Sequence, residues 1–155
     1  MLLECATRVA LLAVLALSIT SLSSCLDFGE KTEWIASDVT KSHLEQISNI
    51  TLIPLPAGTE GLAYLVDDGG IDGAMAAKVR IPPEKEAELL SVEIFTKGEN
   101  KQPTQGIGRG RPWWKASSMS TPIARTMTIK GSQYLGCIYG KEGSDHILYI
   151  TWFDT

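Results

Sequence analysis

The chain has 155 residues, which is enough for one domain but too few for two independent cores. Hydrophobic residues make up 44% of it and charged residues 21%, a balance that allows a folded core and argues against a disordered chain. The net charge of −4 excludes a general electrostatic attraction for nucleic acid, so no nucleic-acid partner is predicted.

The N-terminal segment contains a short apolar run at residues 9–17, with no polar side chain in it. A helix that crosses a bilayer needs about 20 apolar residues, whereas the apolar region of a secretory signal peptide needs about 7 to 15. The run therefore favours export over a membrane span. The basic end that normally precedes such a run is weak here, because Glu4 offsets Arg8.

Directly after this run come Leu22, Ser23, Ser24 and Cys25. This tetrapeptide resembles the lipobox of bacterial lipoproteins. The resemblance implies that residues 1–24 are a signal peptide removed on export, and that Cys25 is the first residue of the mature chain and carries diacylglycerol in a thioether. Acyl chains such as palmitate would then hold the protein on a membrane, since each buried CH₂ contributes about 0.8 kcal/mol. A cleaved signal without lipid, an uncleaved anchor or a mistaken start codon are the alternatives.

The same resemblance implies a location. A lipoprotein of this kind is anchored in the cell membrane or the outer membrane and faces the periplasm or the exterior. Leu26 follows the lipidated position, where an Asp would favour inner-membrane retention in enterobacterial lipoproteins, so both membranes stay open. The mature chain otherwise resembles small uncharacterised bacterial lipoproteins in layout only, and that likeness assigns no activity.

The mature chain is predicted to have two parts. Residues 25–40 mix charges with isolated aromatic residues and show no sustained period, which is typical of a tether attached to the lipid. A single α+β domain is expected over residues 41–155. Cys5 lies in the signal peptide and Cys25 carries the lipid, so no disulfide is expected inside the domain.

The domain is predicted to begin with a short helix at residues 40–50, capped by Thr40 or Ser42. Residues 52–56 should be extended, because a residue before proline is displaced from the helical region.

A β-hairpin is predicted next. A strand candidate at residues 62–66 is followed by the turn-forming stretch DDGGIDG at residues 67–73 and by the alternating stretch AMAAKVRI. The residues expected on the core face are Met75, Ala77, Val79 and Ile81. Lys78 and Arg80 belong to the opposite face.

One helix is predicted from Pro83 to Phe95. Proline suits the first helical position, and the glutamates that crowd this start complement the helix dipole. A long loop follows at residues 97–111, and loops of that length are usually functional or mobile.

The last third is predicted to be a three-stranded meander at residues 123–129, 133–139 and 147–153. The last strand is apolar on both faces, which indicates a central place in the sheet. The predicted fold class is therefore α+β, an antiparallel sheet of about five strands in the order ββ-α-βββ with one main helix packed on it.

The stretch GIGRGRPWWK at residues 106–115 is the strongest candidate for a binding surface. Its glycines do not form the G-x-G-x-x-G loop of a dinucleotide fold. Cations beside aromatic rings can instead hold an anionic glycan, a peptide carboxylate or a lipid headgroup. The candidate ligand or partner surface consists of Arg109, Arg111, Trp113, Trp114 and Lys115. Alternatively, one tryptophan plugs the core and the other covers its edge.

Catalytic and metal-binding groups are sparse. His43 and His146 are the only histidines, and no pattern pairs them with each other or with Cys137, which is expected to be a small buried hydrophobe. The DDGGIDG stretch departs from the EF-hand spacing, which favours a solvated turn over a weak calcium site. No catalytic residue, metal or cofactor is predicted.

Two functions follow from these patterns. The favoured one is a membrane-anchored extracytoplasmic lipoprotein whose domain is a non-enzymatic binding module for an envelope protein or glycan. The alternative is a cell-envelope hydrolase with a site assembled from scattered residues. An enzyme predicts a cleft with two convergent ionisable side chains, whereas a binding module predicts a surface or groove with exposed aromatic rings.

Overall fold

The computed structural model describes residues 31–68, 72–104 and 106–154. Its strands are β1 (Lys31–Ile35), β2 (Glu60–Asp67), β3 (Ala74–Ile81), β4 (Ser120–Ile129), β5 (Gln133–Glu142) and β6 (Asp145–Phe153). Its α-helices are α1 (Lys41–Thr51), α2 (Glu86–Leu90) and α3 (Glu93–Lys97). The predicted signal peptide and the lipobox with Cys25 lie outside the described residues.

All six strands belong to one antiparallel sheet in the order β1-β2-β3-β6-β5-β4. The predicted α+β class with an antiparallel sheet is confirmed. The described part of the chain has six strands where about five were predicted, and three short helices where one main helix was predicted.

Strand β1 lies within the stretch predicted as a tether. It pairs along its length with β2, and the Trp34 ring stacks on Tyr64 with 5.3 Å between the centroids. The other four side chains of β1 are exposed, so the strand shows none of the alternation that marks a half-buried strand. Within the described part of the chain, the sheet therefore already includes Lys31–Ile35.

Helix α1 confirms the helix predicted at residues 40–50. Thr40 is its N-cap residue, and the backbone N–H of Thr40 donates to Nδ1 of His43 at 3.0 Å. The helix ends at Thr51, and the next residue, Leu52, has a φ of 60° and a ψ of 19° in the left-handed region. The prediction that the extended segment starts at Leu52 is therefore wrong at that residue.

Strands β2 and β3 confirm the predicted hairpin, with Asp67 opposite Ala74 where the turn begins. The residues predicted for the core face of β3 are all buried, and we call that side of the sheet the first face. The opposite side, the second face, carries Ala76 and Lys78. It is also covered, and Lys78 is only 9% exposed.

The prediction of one continuous helix from Pro83 to Phe95 is wrong. Helix α2 ends at Leu90, and Val92 is extended with a φ of −70° and a ψ of 158° before α3 starts. The Ser91 hydroxyl donates to the Glu88 carbonyl at 2.7 Å, a local bond that competes with helix continuation.

The three C-terminal strands confirm the predicted meander, and β6 has the predicted central place in the sheet, where it lies between β3 and β5. The first face packs against the helices through residues that include Ile47, Leu89 and Ile94. Cys137 is buried there, and burial raises the pKa of its thiol. None of the helices among the described residues has the length and apolar content needed to cross a bilayer.

Candidate functional site

The second face of the sheet is covered by the chain between α3 and β4, which we call the cover loop (residues 98–119). Glycines allow its close approach. A Cβ at Gly108 would lie 2.5 Å from the Trp114 ring and 2.9 Å from the Ala76 side chain. A Cβ at Gly136 of β5 would lie 2.7 Å from Pro103. Cover loop and sheet are therefore in direct contact at both places.

A groove of about 530 Å³ lies beside the cover loop, and we call it the arginine groove. It brings together two of the five residues of the predicted ligand surface, Arg109 and Trp114. The complete lining is Gln102, Arg109, Gly110, Trp114, Ala116, Ser117, Pro122 and Ile138. Its volume lies in the range of about 300–1,000 Å³ that is usual for small-ligand sites.

Arg109 is the cation of this groove. Its guanidinium donates to the Pro103 carbonyl, and among the described residues it makes no ion pair. Arg80 and Arg111, in contrast, bind carboxylates, and Arg125 binds Asn100 and backbone carbonyls. A guanidinium has five N–H donors, so Arg109 keeps donors for a ligand.

Trp114 forms an apolar wall of the groove. Its ring packs at a tilt against Tyr149 of β6, with 4.7 Å between the centroids, and it is half-buried. Below the ring, the Tyr149 hydroxyl accepts the backbone N–H of Lys115 at 3.0 Å. The position of the indole is therefore fixed by both its own packing and the backbone that follows it.

A buried polar cluster on the second face supports this part of the cover loop. We call Lys78, Glu142 and Tyr149 the lysine cluster. The Lys78 ammonium donates to Glu142 at 2.7 Å and to the Trp113 carbonyl at 3.5 Å, and it lies 5.3 Å from the centre of the Tyr149 ring. The Tyr149 hydroxyl donates to Glu142, and burial together with that bond raises the pKa of Tyr149.

The rest of the predicted ligand surface lies elsewhere. The Trp113 indole N–H donates to Glu33 of β1 at 2.6 Å, and Arg111 pairs with the same carboxylate at 3.4 Å. These two side chains therefore connect the cover loop to the edge strand. Lys115 is exposed and does not line the arginine groove. The structure thus places two residues of the predicted set at the arginine groove and two at Glu33, with Lys115 at neither place.

Sequence reasoning missed four lining side chains of the arginine groove that are larger than alanine: Gln102, Ser117, Pro122 and Ile138. Of these four, only Ile138 could have been predicted from the sequence, because the alternation along β5 places it on the second face, where it pairs with Tyr149. The other three come from irregular backbone or from the first residues of β4, where no period exists.

A second, larger groove of about 1000 Å³ lies between α1 and the start of β2. Its apolar floor includes Val39, Leu44, Leu55 and Leu62. Lys41 and Glu45 stand at its rim and pair with each other across 3.7 Å, with most of both side chains exposed. The charges at this groove are therefore already paired, in contrast to Arg109.

The histidines occupy separate structural contacts. His43 caps α1 and touches the Trp34 ring, with 4.5 Å between the centroids. His146 is buried, and its Nδ1 lies 2.6 Å from the Tyr139 hydroxyl and 3.9 Å from Glu86. Among the residues that the structure describes, no group of three or more metal-ligating side chains is present.

Comparisons with known protein families, with curated proteins and with solved structures gave no significant match. The site therefore has to be interpreted from its own geometry.

Proposed function

We propose that the protein is a membrane-anchored extracytoplasmic lipoprotein whose domain binds an anionic ligand in the arginine groove and does not convert it chemically. The observation that carries the proposal is the Arg109 guanidinium, which has no carboxylate partner among the described residues and stands beside the Trp114 wall.

The physical reason is the balance of charge in the groove. A carboxylate or phosphate at Arg109 would form charge-assisted hydrogen bonds, which are shorter and stronger than bonds between neutral groups. The half-buried Trp114 offers apolar surface next to that charge. A few polar groups in an otherwise apolar concave site are typical of small-ligand binding.

The ionisable groups favour binding over hydrolysis. Arg109 is the one ionisable side chain among the described residues that line the arginine groove. The nearby Lys78 and Glu142 bind each other below the cover loop. A hydrolase would need a second convergent ionisable group, so the lining of the arginine groove supports binding over hydrolysis at this groove.

The proposed anchor is the lipid on Cys25. Because β1 occupies Lys31–Ile35, at most residues 25–30 of the proposed tether are left outside the described sheet, and six residues can span about 20 Å when extended. The domain would therefore stay close to the membrane surface.

The binding proposal is tested on the soluble mature chain, without its lipid, by tryptophan fluorescence. Small carboxylates and phosphate monoesters are titrated beside their neutral amides or alcohols. We expect anions to bind more tightly than their neutral counterparts, and Arg109→Gln to weaken them by about 10-fold or more, because one charge-assisted bond contributes about 1.5–3 kcal/mol. Lys41→Gln removes an equal charge far from the groove and serves as the control. Equal loss in both variants would contradict the site.

The anchor is tested in cells with Cys25→Ala. We expect this substitution to abolish palmitate labelling and to release the protein from the membrane fraction. Unchanged labelling would reject the lipoprotein proposal, whatever the outcome at the arginine groove.

A further inference from the structure

We propose that the ligand of the arginine groove is an acidic sugar, a uronic-acid-type mono- or disaccharide carrying one carboxylate per binding unit. This inference rests on the proposed function and names the chemistry of its ligand. It follows from three properties of the groove: its single charge, its aromatic wall and the type of its remaining polar groups.

The charge of the groove matches one carboxylate. Among its described lining residues only Arg109 is ionisable, so a ligand with several clustered phosphates would leave most of its charge unneutralised. The planar guanidinium, by contrast, can bind one carboxylate through two parallel hydrogen bonds.

The wall of the groove matches a sugar ring. The face of an indole is electron-rich, so it attracts the weakly positive C–H bonds of a pyranose. In such a contact the hydroxyl groups of the sugar stay available for hydrogen bonds. Trp114 is held against Tyr149 at 4.7 Å, which means that the ring does not need to be ordered on binding. Such preorganisation improves affinity.

The remaining polar groups match hydroxyls. Gln102 and Ser117 line the groove, and an amide and a hydroxyl can each donate and accept. The hydroxyls of a sugar require this dual character.

The size of the groove sets the length of the ligand. A volume of about 530 Å³ is in the lower half of the usual range for ligand sites. One or two sugar rings suit this space, and a longer glycan would continue along the surface beyond it.

Three classes of anion are compared in one experiment on the soluble mature chain. The probes are a uronic acid disaccharide, the same disaccharide with its carboxyl reduced to an alcohol, a neutral tripeptide with a free C-terminus, and vesicles with or without phosphatidylglycerol. Binding is followed by calorimetry and by the NMR signals of the indole N–H groups.

We expect the uronic disaccharide to bind and to shift the Trp114 signal. The reduced disaccharide and Arg109→Gln should each weaken binding at least tenfold, whereas Arg109→Lys should retain part of it because the charge remains. Trp114→Phe should weaken the disaccharide more than it weakens a simple carboxylate such as acetate. Thermal unfolding of each variant verifies that it is folded.

Arg109-dependent binding of the peptide or of the anionic vesicles, but not of the disaccharide, would overturn the sugar inference and leave the proposed anion site in place. Equal binding of the acidic and the reduced disaccharide would also overturn it. If no anion binds at Arg109, the proposed function itself fails.

Discussion

Lys78 stands on a central strand, is 9% exposed, and donates to Glu142 at 2.7 Å. Lys78→Met would keep most of the aliphatic stem but leave the Glu142 carboxylate with the Tyr149 hydroxyl as its remaining strong donor. Removing one partner of a buried pair costs about 3–5 kcal/mol. Since one-fifth of the Glu142 side chain is exposed, we expect a loss of about 2–3 kcal/mol in the free energy of unfolding, measured by urea denaturation.

The matched control is Lys97→Met, which breaks a pair with Glu93 at 2.9 Å on the surface of α3. Both of its side chains are mostly exposed, so the expected change is below about 0.5 kcal/mol. A loss at Lys78 as small as the loss at Lys97 would show that solvent already screens the lysine cluster.

Lys78 also shows what could not be predicted from the sequence. The alternation along β3 correctly predicted which residues face the helices and which face the opposite side. This alternation did not predict what covers Lys78, because the cover loop has no repeating hydrophobic pattern. Arg109 and Arg111 show the same limit. Each follows a glycine in the sequence, but Arg109 lines the arginine groove and Arg111 pairs with Glu33. Only tertiary contacts separate them.

At the level of elements, the position of the cover loop depends on glycines. A Cβ at Gly108 would overlap both Trp114 and Ala76, with the nearest approach at 2.5 Å. We therefore expect Gly108→Ala to displace Trp114, to lower the unfolding free energy by about 1–3 kcal/mol and to weaken ligand binding in the arginine groove. Near-ultraviolet circular dichroism and ligand titration measure the two effects.

Gly73→Ala is the control, because a Cβ there would meet the Trp152 ring at 3.5 Å, which is an ordinary contact distance. The strain at this position should be small. If Gly108→Ala left the tryptophan signals and the binding unchanged, the close approach of the cover loop to β3 would be refuted.

Helices α2 and α3 show why element boundaries were harder to predict than element types. Leu89 and Ile94 are both buried against the first face. In one continuous helix they would be about 140° apart, so both could not point at the same sheet. The break at Ser91 and Val92 removes that conflict. Strand β1 escaped prediction for the opposite reason, because an exposed edge strand carries no hydrophobic alternation.

At the scale of the whole molecule, the sheet is covered on both faces, by helices on one and by the cover loop on the other. The apolar character of β6 on both of its faces predicted its central place for this reason. Both layers depend on tyrosines that pack between the sheet and its cover. The four tyrosines of the chain are Tyr64, Tyr134, Tyr139 and Tyr149, and burial raises the pKa of each.

These shifts predict that the protein loses stability in alkali. The pKa of Tyr64 is raised to about 12, because its side chain is buried and the negative charge of Asp68 opposes ionisation, whereas an unfolded tyrosine ionises near 10. Between those two values the unfolded chain has lost a proton that the folded chain keeps, so the free energy of unfolding falls as the pH rises. The stabilisation is complete below about pH 10 and is lost towards about pH 12.

Thermal unfolding at a series of pH values, followed together with the ultraviolet absorbance of tyrosinate, measures this effect. We expect the midpoint to fall steeply above about pH 10, with the tyrosinate of the three buried residues Tyr64, Tyr139 and Tyr149 appearing at the unfolding transition and not before it. Tyr64→Phe removes the contribution of one tyrosine to this loss of stability. The unfolding midpoint of the variant should therefore fall less steeply over the same pH range. If these three tyrosines ionised near pH 10 in the still-folded protein, their hydroxyls would reach water, and the tight cover of both faces of the sheet would be disproved.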